Sequence, residues 1–149
     1  MHEFRYCDGG LFCEAVSVKE LAGKFGTPLF VYSQSTLTRN VDRLRQALAP
    51  LDHLICYSVK SNSNLAVLRV LAREGCGFDI VSEGELRRVL AVGGDPGRVA
   101  FAGVAKQEGE IALALERGIQ CFNVESEPEL ERINRVAGRL RRVAPVRCG

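Results

Sequence analysis

The chain carries no excess charge of either sign. Its 20 lysines and arginines stand against 18 aspartates and glutamates, a net of +2. That balance argues against a dedicated nucleic-acid binder, which presents a strongly basic face. The one basic cluster, Arg139, Arg141 and Arg142, reads as the solvated end of a helix, where cations suit the helix dipole. No apolar run approaches the roughly 18 or more residues of a membrane span. The first ten residues, MHEFRYCDGG, are too polar for a secretory leader. Neither a nucleic acid nor a membrane is therefore expected as a partner. Histidine is scarce: His2 and His53 are the only two, and neither stands where a strand-like segment ends. A histidine-based triad or metal site is not expected. The six cysteines include no C-x-x-C pair, which argues against a zinc site or disulfide framework. Reduced thiols, three of them in apolar strand-like stretches, fit a cytoplasmic protein. There is no G-x-x-x-x-G-K-[ST] phosphate loop. Gly75-Cys76-Gly77 begins like a dinucleotide fingerprint, but Ile80 stands at the third glycine and the run precedes a strand instead of following one.

What the chain does have is alternation. With 149 residues, 46% of them hydrophobic, it can bury one core of ordinary size. Residues 1–33 read as a lead-in. It holds a turn at Asp8-Gly9-Gly10, then LFCEAV, then a short helix over Val18 to Phe25 broken by Gly26-Thr27-Pro28. The apolar run LFVYS (29–33) then predicts a strand. Leu37, Val41, Leu44 and Leu48 form one apolar face of a helix that Pro50 ends. Strand-like segments follow at LICYSV (54–59), FDIV (78–81), VAFAG (99–103) and IQCFNV (119–124), with APV (144–146) opening a fifth. Between them lie helical patterns: Leu65, Leu68 and Leu71; Leu86, Val89 and Leu90; Glu108 to Arg117; and Leu130, Ile133, Ala137 and Leu140. Ser82-Glu83-Gly84-Glu85 and Ser126-Glu127-Pro128-Glu129 read as capping boxes, and Gly118 as a C-cap. Strands separated by helices predict right-handed βαβ units and a parallel sheet, an α/β fold. Patterning leaves a doubly wound sheet and a (β/α)8 barrel both open. In either, ligands sit at the C-terminal ends of strands. Lys60, Ser82, Val104 and Glu125 fall at or just after such ends.

Lys60 follows a buried strand and sits among Ser58, Ser61, Asn62, Ser63 and Asn64. Its plain reading is a side chain that snorkels from the strand end with its ammonium in water. Its chemical reading is a Schiff-base lysine. Imine formation consumes a neutral amine, which an ordinary lysine supplies at only about one part in a thousand at pH 7.4. Desolvation at the mouth of a sheet raises that share. Position alone leaves both readings open. Asp79 is likewise either a strand-end carboxylate bonding a loop amide or a group facing a ligand. Ser82 is accounted for as a helix N-cap. Glu125 is either an orienting group or a solvated carboxylate.

YSVKSNSN (57–64) resembles the YAVKANSN segment of the diaminopimelate decarboxylases, fold-type III pyridoxal-phosphate enzymes. GTPLFVYS (26–33), GCGFDIVSEGEL (75–86) and FNVESEPELERI (122–133) resemble further segments of that family in the same order. FAGVAKQEGEIALALERGI (101–119) does so more loosely, and Glu83 stands where many relatives have glycine. The resemblance implies a partial (β/α)8 TIM barrel of the alanine racemase-like type, about its first half, over 34–149. The lead-in 1–33 would contribute its LFVYS strand to a β domain not present here. It also implies Lys60 as the catalytic lysine and covalent anchor of pyridoxal 5'-phosphate, with Asp79 as a second cofactor-binding residue and no metal. The implied reaction takes a small amino acid, meso-diaminopimelate, to L-lysine and CO2, in a homodimer when full-length. Ornithine, arginine or carboxynorspermidine decarboxylases and a non-catalytic pyridoxal-phosphate carrier are the alternatives. The family's chains are much longer, and the resemblance breaks within Arg147-Cys148-Gly149. The sequence therefore reads as an N-terminal fragment, with negligible decarboxylase activity expected of it alone.

Overall fold

The computed structural model describes residues 3–148, which form two compact units divided between Leu51 and Asp52. In the first unit, β1 (Phe4–Cys7), β2 (Gly10–Cys13) and β3 (Val16–Ser17) make an antiparallel sheet in that order. Asp8 and Gly9, at φ 49° and 77°, form the two-residue turn whose twist suits a hairpin. Two helices follow, α1 (Val18–Phe25) and α2 (Gln34–Leu48). The start of α2 is tied down by one acid and one hydroxyl. The buried Ser33 hydroxyl donates to Glu14 Oε1 at 2.8 Å and accepts from the Thr36 amide at 3.0 Å. The Ser35 amide donates to the same Glu14 oxygen at 2.9 Å. That amide, followed by the Ser33 hydroxyl, holds the Glu14 carboxyl below its ordinary pKa.

Residues 29–33 do not form the expected strand. Neither sheet of the described residues includes them, and Phe30 and Tyr32 are exposed. An apolar, aromatic run has the composition of a strand. A strand exists only through its ladder of hydrogen bonds, and this run pairs with none among the described residues.

The second unit alternates without a break. Its elements are β4 (Cys56–Ser58), α3 (Leu65–Arg73), β5 (Gly77–Ile80), α4 (Glu83–Ala91), β6 (Val99–Phe101), α5 (Glu108–Arg117), β7 (Cys121–Val124), α6 (Glu127–Leu140) and β8 (Val146–Cys148). The five strands are parallel and ordered β4-β5-β6-β7-β8. A doubly wound sheet reverses its order at a switch point. This one never does, so right-handed crossovers put every helix on the same face. Such winding is that of a (β/α)8 barrel, and it decides the choice that patterning left open.

Register then sorts side chains between the two faces. Phe78 lies beside Val99, and Ile80, Phe101 and Phe122 form a second row; all five are fully buried. The Phe101 and Phe122 rings stack with centroids 6.0 Å apart. Leu68, Leu86, Val89, Ile111 and Ile133 of the helices complete this core. Each such side chain contributes about 1.5–3 kcal/mol on burial. The opposite face carries Ser58, Asp79, Ala100 and Cys121 in one row and Asn123 beside Arg147 in the next. Gly77 is on that face too, beside Cys56. A Cβ there would press on the Arg98 carbonyl oxygen and lie 2.9 Å from Cys56 Sγ. All six cysteines are free, and Cys13, Cys76 and Cys121 are buried as small hydrophobes. No helix of the described residues is long and apolar enough to cross a membrane.

Candidate functional site

The strand predicted over 54–59 ends early, at Ser58, because Val59–Ser61 turn into one 3-10 turn. Val59 is fully buried and pins that turn, while Lys60 between Val59 and Ser61 is exposed. The polar residues beyond it have local work. Asn62 Oδ1 accepts from the Asn64 amide at 3.0 Å, and Asn64 Oδ1 caps α3 by accepting from the Ala66 amide at 2.8 Å. Ser58 Oγ donates to Asp79 Oδ2 at 3.2 Å across the β4–β5 pair. Lys60 is the one member of the run with a charge, and it has no hydrogen-bond or ion-pair partner among the described residues. The two residues singled out from sequence thus flank one strand pair: Lys60 just past the end of β4, and Asp79 held by Ser58, two positions before Lys60.

The next strand end is built for capping. Ser82 Oγ accepts from the Glu85 amide at 3.3 Å, the N-cap predicted from sequence. The return bond lands one residue earlier than in a regular box: Glu85 Oε2 accepts from the Val81 amide at 2.8 Å. Glu83 donates its amide to Glu110 Oε1 at 2.9 Å, and Glu110 Oε2 accepts from the Gln107 amide at 2.9 Å. One carboxylate therefore joins the starts of α4 and α5. With its hydroxyl used in the cap, Ser82 has a structural role.

The predicted second capping box does not form. Ser126 makes no side-chain cap bond. Glu129, its expected partner, is buried at 4% exposure and engaged elsewhere. Its Oε2 accepts from the Glu125 amide at 2.8 Å and its Oε1 takes the Lys106 ammonium at 2.9 Å. The return bond again lands one residue earlier than in a regular box, as at Glu85, and the Lys106 ammonium takes the other oxygen. Lys106 is 2% exposed and uses all three of its donors: Gly103 O at 2.6 Å, Asn123 O at 2.9 Å and Glu129. Its ammonium also lies 5.7 Å from the Phe101 ring centroid. Burial pushes the Glu129 carboxyl up, but the Glu125 amide and the Lys106 ammonium outweigh it and leave the pKa below the ordinary 4.5. Sequence reasoning missed this pair. The available signal was a lone lysine five residues after the end of β6, together with a glutamate on the first turn of α6, the next helix but one. Glu125 itself is exposed and offers its amide to Glu129.

A cavity of about 810 Å3 lies along α2 in the first unit, lined by Glu14, Gln34, Arg39 and Arg43 among others. It includes neither Lys60 nor Asp79. The arrangement at the strand ends is the one with reactive chemistry: an exposed primary amine suited to a carbonyl carbon, and a carboxylate on the open face of the next strand.

Comparison with known proteins places this arrangement in context. Residues 34–147 match the family described as the pyridoxal binding domain of pyridoxal-dependent decarboxylases. The chain is 57% identical over 139 residues to a diaminopimelate decarboxylase of Vibrio cholerae, covering 93% of this chain and 33% of that one. The crystal structure of diaminopimelate decarboxylase from M. jannaschii superposes with a TM-score of 0.94 at 36% identity, covering 98% of this chain and 35% of the other. The same relative in co-complex with L-lysine gives 0.93 at 36% identity, covering 97% and 35%. The chain spans about a third of the length of the relatives it matches.

Proposed function

Because this chain belongs to the pyridoxal-dependent decarboxylases, through their pyridoxal binding domain, we propose that its protein removes one carboxylate of meso-diaminopimelate as CO2 and yields L-lysine. The observation that carries the reading is Lys60. It is an exposed amine at a strand's C-terminal end, in a run whose asparagines are taken up by a turn and a cap. The substrate is supported by the relatives' name and by the L-lysine in the co-complex, which is what diaminopimelate becomes on losing one CO2.

The residues present fit the family's cofactor, pyridoxal 5'-phosphate, whose aldehyde needs a primary amine. That cofactor, when bound, supplies an electron sink for the pair left behind by the departing CO2. The chain supplies the rest. Lys60 Nζ would hold the cofactor covalently, and as a free amine it would be the chain's group for carrying a proton to or from the substrate. Ser58 orients Asp79 by its hydrogen bond on the open face of the sheet. The Ser61–Asn64 segment, locked by its two asparagine bonds, fixes where the turn carrying Lys60 begins and ends.

A homodimer for the whole protein and a cytoplasmic location complete the proposal. Six free cysteines support a reducing compartment. The test offers the whole protein, loaded with pyridoxal 5'-phosphate, meso-diaminopimelate, L-ornithine and L-arginine separately. CO2 release from the first, abolished by Lys60→Ala, is expected. Release from ornithine or arginine instead would replace the substrate assignment.

A further inference from the structure

Two consecutive strand ends in the second unit are joined by one buried ion pair. The loop after β6 is contorted: Gly103 and Ala105 both have positive φ, 80° and 61°. Left-handed backbone at a residue other than glycine persists only where its surroundings hold it. Lys106 supplies the hold. Its ammonium turns back to Gly103 O, reaches across to Asn123 O at the end of β7, and meets Glu129 on the first turn of α6. Glu129 then takes the amide of Glu125, the residue just past β7. Arg132, one turn further along α6, donates to the Lys106 carbonyl at 3.0 Å. The lysine and glutamate side chains are 1% and 5% exposed.

Such a pair is poorly explained as a source of stability. Two ions lose their hydration, and well-packed apolar residues of similar size often serve a fold as well or better. What apolar residues cannot do is hold three named backbone groups of two loops, Gly103 O, Asn123 O and the Glu125 amide, at fixed positions. Those loops lie at the C-terminal ends of adjacent parallel strands, where a barrel of this winding binds its ligand.

We infer that Lys106 and Glu129 are positioning residues: they set the shape of the cofactor-facing mouth at the ends of β6 and β7 rather than holding the fold together. The inference rests on the functional reading above, since it takes that mouth as the pyridoxal-phosphate site. Neither residue is assigned contact with the cofactor. They act through the backbone of Gly103 to Lys106 and of Asn123 to Glu125.

The test compares the native protein with Lys106→Met/Glu129→Leu, which removes both charges, and with Glu129→Gln, which leaves the Lys106 ammonium without its counter-charge. A glutamine keeps one acceptor oxygen where the carboxylate had two. Three readings are taken on each: the unfolding midpoint, the dissociation constant for pyridoxal 5'-phosphate, and backbone hydrogen exchange. The double variant is expected to keep its midpoint within a few degrees. Both variants should bind the cofactor at least tenfold more weakly and lose at least tenfold exchange protection at 103–107 and 123–125, with α3 unchanged. Native cofactor affinity in variants that fold would overturn the inference, as would protection lost evenly across the sheet. Should the double variant not fold, Glu129→Asp, which keeps the charge but withdraws it by one methylene, decides by the same criteria. Should the native protein take no cofactor on Lys60, the functional reading fails. The exchange pattern then still decides whether the pair holds the two loops.

Discussion

At the scale of single residues, four lysines have different surroundings. Lys19, Lys24 and Lys60 are exposed, whereas Lys106 is sealed by Gly103, Asn123 and Glu129. Removing one partner of a buried pair leaves the other charge uncompensated, at a cost of about 3–5 kcal/mol. Glu129→Gln should therefore lower the unfolding free energy by that order at pH 7. The acid dependence follows from the direction of the shift. The folded-state pKa of Glu129 lies below the ordinary carboxylate value. Its contribution is then full above the unfolded-state pKa and fades as pH falls through the folded one. The gap between native protein and Glu129→Gln should narrow from pH 7 toward pH 3, and urea titrations at several pH values measure it. Lys60 stands out in the sequence because its neighbours form a motif. The Lys106–Glu129 pair was harder to read, because α5 and β7 separate the two in the chain and only the fold brings them together.

At the scale of elements, helices were easier to read than strands. The limits of α1 and α5 follow from a serine cap, a glutamine capping box and the glycines at 26 and 118, all local signals. Strand limits depend on partners. LICYSV stops at Ser58 because Val59 turns inward, and LFVYS has the composition of a strand without a ladder among the described residues. Two substitutions test the local account. Ser33→Ala removes the cap of α2 and the hydroxyl donor to Glu14, and should cost about 0.5–2 kcal/mol. The sign is read from faster exchange of the Thr36 amide. Gly77→Ala puts a methyl group against the Arg98 carbonyl and Cys56 Sγ, so the β4–β5 pair must shift. Overpacking of this kind costs about 1–3 kcal/mol, seen as a lowered denaturation midpoint.

At the scale of the whole molecule, the parallel order of five strands gives the fold and leaves a polar face opposite the helices. Alternation alone announced the parallel sheet. Patterning alone needed the strand order to choose the barrel winding, which the resemblance of the ordered segments already implies. In the second unit β5, β6 and β7 are flanked on both sides by strands, whereas β4 and β8 each have one neighbour. Hydrogen exchange should be slowest in the three inner strands and faster in the outer two; equal protection throughout would count against the described sheet. The central claim concerns Lys60, and the small number of lysines makes it directly measurable. The chain is incubated with a limiting amount of pyridoxal 5'-phosphate, reduced with borohydride and mapped by peptide mass. The account predicts that the reduced adduct concentrates on Lys60, well above Lys19 and Lys24, which are also exposed. Adduct spread evenly over those three, or found on Lys19 and Lys24 with Lys60 unmodified, would contradict it.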